Sequence, residues 1–436
     1  MNKTFQRLIC FLLASVVTFG VVGCQKSYYE QWQKEQEKLL KSQAQIWAYG
    51  GEYQTIKRIV TYYNSYYDPD VTLVEFKESE MSFEQFCTKL QGSMMSGTGP
   101  DLVLTTGAEL FSDFNKSIRA GAFAPLDDII SGWDETDYYP QIVEGCRHSD
   151  GKIYYLPLSV QHQVILTTQE NMDRYGLTAD DFRNYEEYTA LTLKIWEQYK
   201  PGENAYADKG TPRLISMIPT LLDYDAGKTS LCTEQTQNLL TDWCEINRLQ
   251  KEHHMKWSNL WLEGDEYIIS QAGMQGKEIL EGEQVFCTDI LEGIGIYDVE
   301  NGQYIDMTEE QMANLICYPL RNTQNQAVAR VFGYVAVPAE CKNRDTIGQF
   351  IKVMLFDPDC VNHQMFGISR YHTEKTIEDR IPSLASYVND IMEAPVYLYH
   401  WNSISENLEA QIRLESEKEN PDYTDLEQQI NVYLSE

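Results

Sequence analysis

Between residues 44 and 105 the apolar positions switch back and forth between two periods. Ala44-Gln45-Ile46-Trp47-Ala48-Tyr49 alternates as a strand and opens onto Gly50-Gly51-Glu52-Tyr53. Ile56, Ile59, Val60 and Tyr63 then recur at helical spacing until Asp68-Pro69-Asp70 stops the run. Val71 to Phe76 alternates as a second strand, and Phe83 to Met95 carries another helical stripe. Ser96-Gly97-Thr98-Gly99-Pro100 cannot continue that helix, so Leu102 to Thr105 reads as a short buried strand ending at Thr105-Thr106-Gly107. Strand, helix, strand, helix, strand with short connections predicts an α/β fold of the doubly wound kind.

Further on, Ala120-Gly121-Ala122-Phe123-Ala124-Pro125-Leu126-Asp127-Asp128 ends one helix and leads into the next segment. Ser149-Asp150-Gly151-Lys152 is a hairpin turn, and the strand after it is expected to close on Pro157. Helices are predicted over Asp180 to Tyr199 and Thr233 to His253. Residues 281–314, rich in glycine and acids with a turn at Asn301-Gly302, read as an insertion. Phe332 to Pro338 is a strand, followed by a helix from Asn343 to Phe356 that stops at Asp357-Pro358-Asp359. The remaining chain, through Tyr387, Trp401 and Leu408, reads as helices.

The first residues change the picture of where such a protein works. Lys3 and Arg7 precede an apolar run from Leu8 to Phe19, and Val21-Val22-Gly23-Cys24 closes it with small residues and a cysteine. That pattern is a secretory leader, too short to span a bilayer comfortably. The cysteine after the cut resembles a bacterial lipobox, which implies cleavage at residue 23 and thioether lipidation of Cys24, with residues 24–43 as a polar spacer. The chain carries a net charge of −31, and loss of Lys3 and Arg7 with the leader takes it to −33. Such a surface repels nucleic acid and anionic headgroups. The ten cysteines are scattered without a Cys-x-x-Cys pair, so neither zinc nor redox chemistry is indicated, and buried thiols are as compatible with their apolar surroundings as bridges are.

Gly97-Thr98-Gly99-Pro100-Asp101-Leu102-Val103, followed by Ala120-Gly121-Ala122-Phe123-Ala124-Pro125-Leu126-Asp127, resembles the first lobe of extracellular solute-binding proteins, the sugar-binding lipoprotein components of ABC importers. Asp150-Gly151-Lys152-Ile153-Tyr154 up to Pro157 resembles that family's first crossover between lobes, and Cys317-Tyr318-Pro319 its second. Gly273-Met274-Gln275-Gly276 resembles a segment that feeds the cleft from the second lobe, although Lys277 and Glu278 stand where an aromatic is usual. The resemblance implies a periplasmic-binding-protein-like fold: a first lobe of residues 44–153 and 317–355, a second of 154–316 and 356–436, and a hinge near Tyr154 to Pro157, Cys317 to Pro319 and Phe356 to Asp359.

In that fold ligand lies where the carboxyl ends of strands from two lobes face one another. The implied binding set is Gly51, Glu52, Thr106 and Glu109 on one side and Gln161, His162, Gln275 and Lys277 on the other. Glu52, Glu109, Gln161 and Gln275 can bridge sugar hydroxyls, while Trp47, Tyr53, Trp257, Trp261 and Tyr334 can cover a pyranose face. Trp257 and Trp261, four apart, also read as one helical stripe. The resemblance further implies a monomer at the outer face of a Gram-positive type membrane, a carbohydrate ligand, permease partners, no nucleic acid, no metal and no cofactor. No Gly-x-Ser-x-Gly, His-Glu-x-x-His or phosphate loop is present, so the chain is expected not to be an enzyme. A surface glycoside hydrolase is the alternative from the enzyme class, and an adhesin or sensor on the same fold the alternative among binders.

Overall fold

A computed structural model describes residues 43–67, 70–208, 213–253, 278–291, 296–298, 303–305, 307–360, 366–400, 402–416, 418 and 420–435. Its strands are β1 (Ala44–Tyr49), β2 (Val71–Phe76), β3 (Val103–Thr105), β4 (Tyr155–Thr168), β5 (Cys287–Ile290), β6 (Ile296–Asp298), β7 (Gln303–Ile305), β8 (Leu315–Pro319), β9 (Ala327–Ala336) and β10 (Val396–Tyr399). β1 and β2 pair in parallel from Ala44↔Val71 to Tyr49↔Phe76, and Ile46 bridges in parallel to Leu102 at the start of β3. β3 then runs antiparallel to the far end of β9, Val103 opposite Ala336. The first lobe is therefore a sheet in the order β2, β1, β3, β9, covered by helices Glu52–Tyr66, Phe83–Met95 and Arg344–Phe356. Their apolar stripes, Ile56, Ile59, Val60 and Tyr63 on one and Phe86, Leu90 and Met94 on another, are buried against it. Ser82 and Gln85 form a reciprocal capping box that fixes where the second of these helices starts.

Two strands join this sheet to the next. β4 pairs with β9 through Tyr155–His162 and then, from Gln163 to Thr168, with β5 and β8. β9 pairs with β3 at one end and in parallel with β10 at the other, Val396 opposite Ala327. Buried side chains form two clusters, and β4 and β8 feed both from their two faces. Ile46, Leu104, Leu156, Val335, Phe350, Val388 and Leu398 share one core, and Ile165, Trp196, Leu240, Phe286, Val328, Tyr399 and Ile412 share another.

Two expectations about connections need correction. β4 does not stop at Pro157 but runs fourteen residues through it. A proline lacks the N–H a ladder needs, and the register shifts between Pro157, Ser159 and Val160 absorb that loss. Cys317 to Pro319 is the end of β8, paired to β4 inside the second sheet, and the strand that runs beside β4 from the first sheet to the second is β9. Phe356 to Asp359 ends helix Arg344–Phe356. Within residues 281–314, Cys287–Ile290 is a strand of the second sheet.

Cys87, Cys146, Cys232, Cys287, Cys317, Cys341 and Cys360 are free thiols, four of them buried. Burial pushes the thiols of Cys146 and Cys317 well up from their ordinary value, as expected of inert packing groups. Among the described residues no helix is long and apolar enough to cross a membrane.

Candidate functional site

The carboxyl ends of β1, β3 and β10 converge on one crevice, floored by β4 and β9. From β1 the chain turns into helix Glu52–Tyr66, so Glu52 sits in the first helical turn facing the loop after β3. Its Oε1 accepts from the Thr105 hydroxyl at 2.9 Å, the Thr106 N–H at 2.7 Å, the Thr106 hydroxyl at 3.1 Å and the Ala108 N–H at 3.2 Å. One carboxylate oxygen thus satisfies four donors of a tight loop and holds its shape.

Glu109, exposed at the far end of that loop, reaches across the crevice. The Ser403 N–H, at the start of helix Ser403–Ser416, donates to Glu109 Oε1 at 3.1 Å. That helix buries Leu408 and Ile412 in the second core, so this contact joins the two lips. A stronger set of contacts lies beside it. Asp113, only 5% exposed, caps helix Phe114–Arg119 by accepting from the Lys116 N–H at 3.0 Å. Its other oxygen accepts from the Tyr224 hydroxyl at 2.8 Å and from the Tyr433 hydroxyl. Lys116 Nζ lies 3.7 Å from the Tyr433 ring centroid, Arg119 donates to the carbonyls of Tyr224 and Leu434, and the Ser149 hydroxyl donates to Asp225 Oδ1 at 2.5 Å. Tyr224, Tyr433 and Leu434 pack on the second core and Phe114 and Ile118 on the first. Burial raises the hydroxyls of Tyr224 and Tyr433, and the Asp113 carboxylate raises them further, so both stay protonated donors.

The floor is aromatic and cationic. Phe332 is 40% exposed on β9. A side chain at Gly107 would come within 3.0 Å of its ring, and one at Gly333 would lie 2.8 Å from the Thr105 carbonyl oxygen. Glycine at both positions lets β9 and the β3 loop touch and leaves the Phe332 ring against the loop. Arg330 stands two residues back on the same strand, 5.9 Å from the Phe332 ring centroid, with Gln161 opposite it on β4.

Of the residues expected to bind, Thr106, Glu109 and Gln161 line this crevice with partly or fully exposed side chains, and Glu52 and Gly51 stand behind it. His162 is 1% exposed, since it follows Gln161 on a strand and faces the opposite side, into the core. Neither ring nitrogen has a hydrogen-bond partner among the described residues, and burial pushes it down to about 4. Tyr334, 7% exposed, packs among Phe114, Tyr155 and His400 with ring centroids 4.5, 6.3 and 5.5 Å away, and presents no open face. Trp47 packs on Phe76 at 5.0 Å, and Tyr53 lies beside Lys57 on its own helix. Trp257, Trp261, Gln275, Lys277 and Cys24 lie outside the described residues. The sequence reading missed Arg330, Phe332 and Ser403. An arginine and a glycine inside Ala327-Val328-Ala329-Arg330-Val331-Phe332-Gly333 were the available signal.

No group of His, Cys, Asp or Glu among the described residues is arranged to hold a metal ion. A separate cavity of about 300 Å³, lined by Leu291, Met307, Met312 and Phe366, lies away from the crevice. What the crevice offers is a set of donors and acceptors from two bodies and one open ring, the equipment for holding a polar ligand.

Residues 47–212 match the family model of bacterial extracellular solute-binding proteins. No curated protein sequence matches the chain. Among solved structures, an extracellular solute-binding protein of family 1 from Alicyclobacillus acidocaldarius superposes with a TM-score of 0.57 at 12% identity, covering 90% of this chain and 98% of that one. The sugar-binding protein MalE of Xanthomonas citri gives 0.55 at 15% identity, with 90% and 97% covered. A cyclic α-maltosyl-1,6-maltose binding protein from Arthrobacter globiformis gives 0.53 at 16% identity, with 90% and 98% covered. The two-lobed solute-binding fold is therefore the fold of this chain.

Proposed function

We propose that this two-lobed chain, whose residues 47–212 match the family model of extracellular solute-binding proteins, captures a carbohydrate between its lobes and delivers it to an ABC permease. The observation that carries the reading is the crevice itself. Gln161, Arg330 and Phe332 on the shared strands lie beneath Thr106 and Glu109 of one lip and Ser403 of the other, so a ligand seated there would touch both bodies. A ligand held from two sides favours the state in which they are together, and hinge closure needs that energetic bias. The sugar-binding neighbours support a saccharide, since a ring platform beside amide and carboxylate groups suits its two faces. Lipid on Cys24 would keep the closed form beside its permease.

Thermal unfolding of the mature chain against a panel of mono- and oligosaccharides tests this. A ligand at about 100 times its dissociation constant adds roughly 2.7 kcal/mol to stability. A rise with one saccharide class and no release of reducing ends is the expected result, whereas turnover would move the protein to the glycoside hydrolases and a flat panel would remove carbohydrate from the reading. Labelling with palmitate that disappears in Cys24→Ala tests the anchor.

A further inference from the structure

The crevice holds one guanidinium to which no carboxylate among the described residues is bonded. Most arginines resolved here have an acid or a carbonyl: Arg147 pairs with Asp127 and Glu144, Arg344 with Asp128, Arg370 with Glu393, and Arg213 lies 3.5 Å from Glu409. Arg321 donates to the Asn325 carbonyl. Arg330 has no such partner among the described residues although the chain carries 66 acids against 35 basic residues. Its Nε is buried without a hydrogen-bond acceptor among the described residues, and its guanidinium lies over the Phe332 ring.

The groups that act on it electrostatically come from every side of the crevice: Tyr399 and Arg213, then Glu109 and Glu406. Neither acid is bonded to it. Glu109 is held by the Ser403 N–H on the opposite lip, and the Tyr399 hydroxyl accepts from Gln163 at 2.6 Å. Arg213, equally basic, adds to the positive potential there.

We propose that Arg330 sets the ligand class of this crevice and that the saccharide it selects carries a carboxylate, as a uronic-acid residue does. The inference rests on the carbohydrate reading given above. A half-buried guanidinium facing a closing cleft loses water on both sides when the lobes meet, and neutral hydroxyls return single hydrogen bonds without charge. A carboxylate returns two parallel charge-assisted bonds in the planar geometry of the guanidinium. Phe332 beside it would take the apolar face of the same pyranose, so acid group and ring are recognised by adjacent residues of one strand. The chain's overall negative charge repels acidic saccharides everywhere else, which confines their binding to this spot.

Isothermal titration of the mature full-length chain with matched pairs decides it: digalacturonate against galactobiose, and glucuronosyl-xylose against xylobiose. Expected is a preference of about 10- to 100-fold for an acidic member, the range for a charge-assisted contact, weakening with added salt. Arg330→Gln should abolish the preference, and Arg330→Lys should retain part of it while the unliganded melting temperature of each variant reports its folding. Equal binding of acidic and neutral members by the unsubstituted chain overturns the proposal and leaves the carbohydrate reading standing. So does a preference that Arg330→Gln leaves intact. Failure of every saccharide, acidic and neutral, overturns both.

Discussion

The two lobes meet along two seams built from different bonds. At the floor, β4 and β9 share a backbone ladder from Tyr155 opposite Ala336 to His162 opposite Ala329, and most of its residues are fully buried. At the rim, the join is made by side chains: the Asp113 carboxylate with the hydroxyls of Tyr224 and Tyr433, and Glu109 with Ser403. A ladder can bend but cannot be given up, because each freed buried N–H and C=O would lose its partner with no water to replace it. Asp113 is buried, but Glu109 and Ser403 are exposed and Tyr224 and Tyr433 half-buried, so water can take the place of the parting donors, and each contact is worth about 1 kcal/mol net. Floor and rim thus divide the labour of a hinge: the register shifts at Pro157 to Val160 supply a place to bend, and the tyrosines near Asp113 supply what must let go.

The sharpest way to break that contrast is at the floor. Gly333→Val should destabilise the chain by about 1–3 kcal/mol, read by urea unfolding, because its Cβ would sit 2.8 Å from the Thr105 carbonyl oxygen with backbone on both sides. A cut at the rim should be milder and of another kind. Asp113→Ala should cost about 1–2 kcal/mol through the lost cap and should also increase the radius of gyration of the unliganded chain in X-ray scattering as the lobes part. Tyr433→Phe should give the same opening at about 0.5–1.5 kcal/mol, since it removes one hydrogen bond and keeps the ring.

Acid should find the floor before the rim. His162 and His400 are buried neutral, the first held down to about 4 and the second to about 3, in both by desolvation first. The unfolded chain takes up these protons near pH 6.5, so their contribution to stability is present above that value and falls as pH drops toward 4. Melting temperature should decline over this range, and His162→Leu should flatten the decline. Glu409, raised by burial to about 7, slopes the other way: its neutral form adds stability that is lost as pH climbs from about 4.5 to 7. The smallest effect expected is at Lys116→Met, about 0.5–1 kcal/mol for the contact over Tyr433.

Much of the first lobe was legible because its punctuation is local. The Gly50-Gly51 turn and Gly97 to Pro100 mark ends by backbone chemistry that needs no tertiary partner, and β1, β2 and helix Phe83–Met95 have the boundaries read from the chain. Pro157 misled for the same reason. Proline ends most strands, but here a bulge and a neighbouring strand override it. In the crevice, an acid placed at the mouth of β1 is readable as Glu52, yet its four donors come from a loop more than fifty residues away and reserve one of its oxygens. Gln161 and His162 differ by one position on a strand, which is the difference between crevice and core, and only the pairing with β9 fixes which faces which. Arg330 was hidden by its apolar strand.

The interleaving of the two cores has a consequence for how the chain is made. Ala44 and Leu398 belong to the same core, and most of the second core lies between them in sequence. Emerging from its N-terminus, the chain can form β1, β2 and β3 early, but β3 keeps a bare edge until β9 arrives, and Val388 and Leu398 complete the packing later still. Such a chain stays unfinished for most of its synthesis, with strand edges open to wrong partners. A fragment ending near residue 300 should therefore aggregate rather than yield a free first lobe, and the full chain should commit to its fold only when its final hundred residues are available.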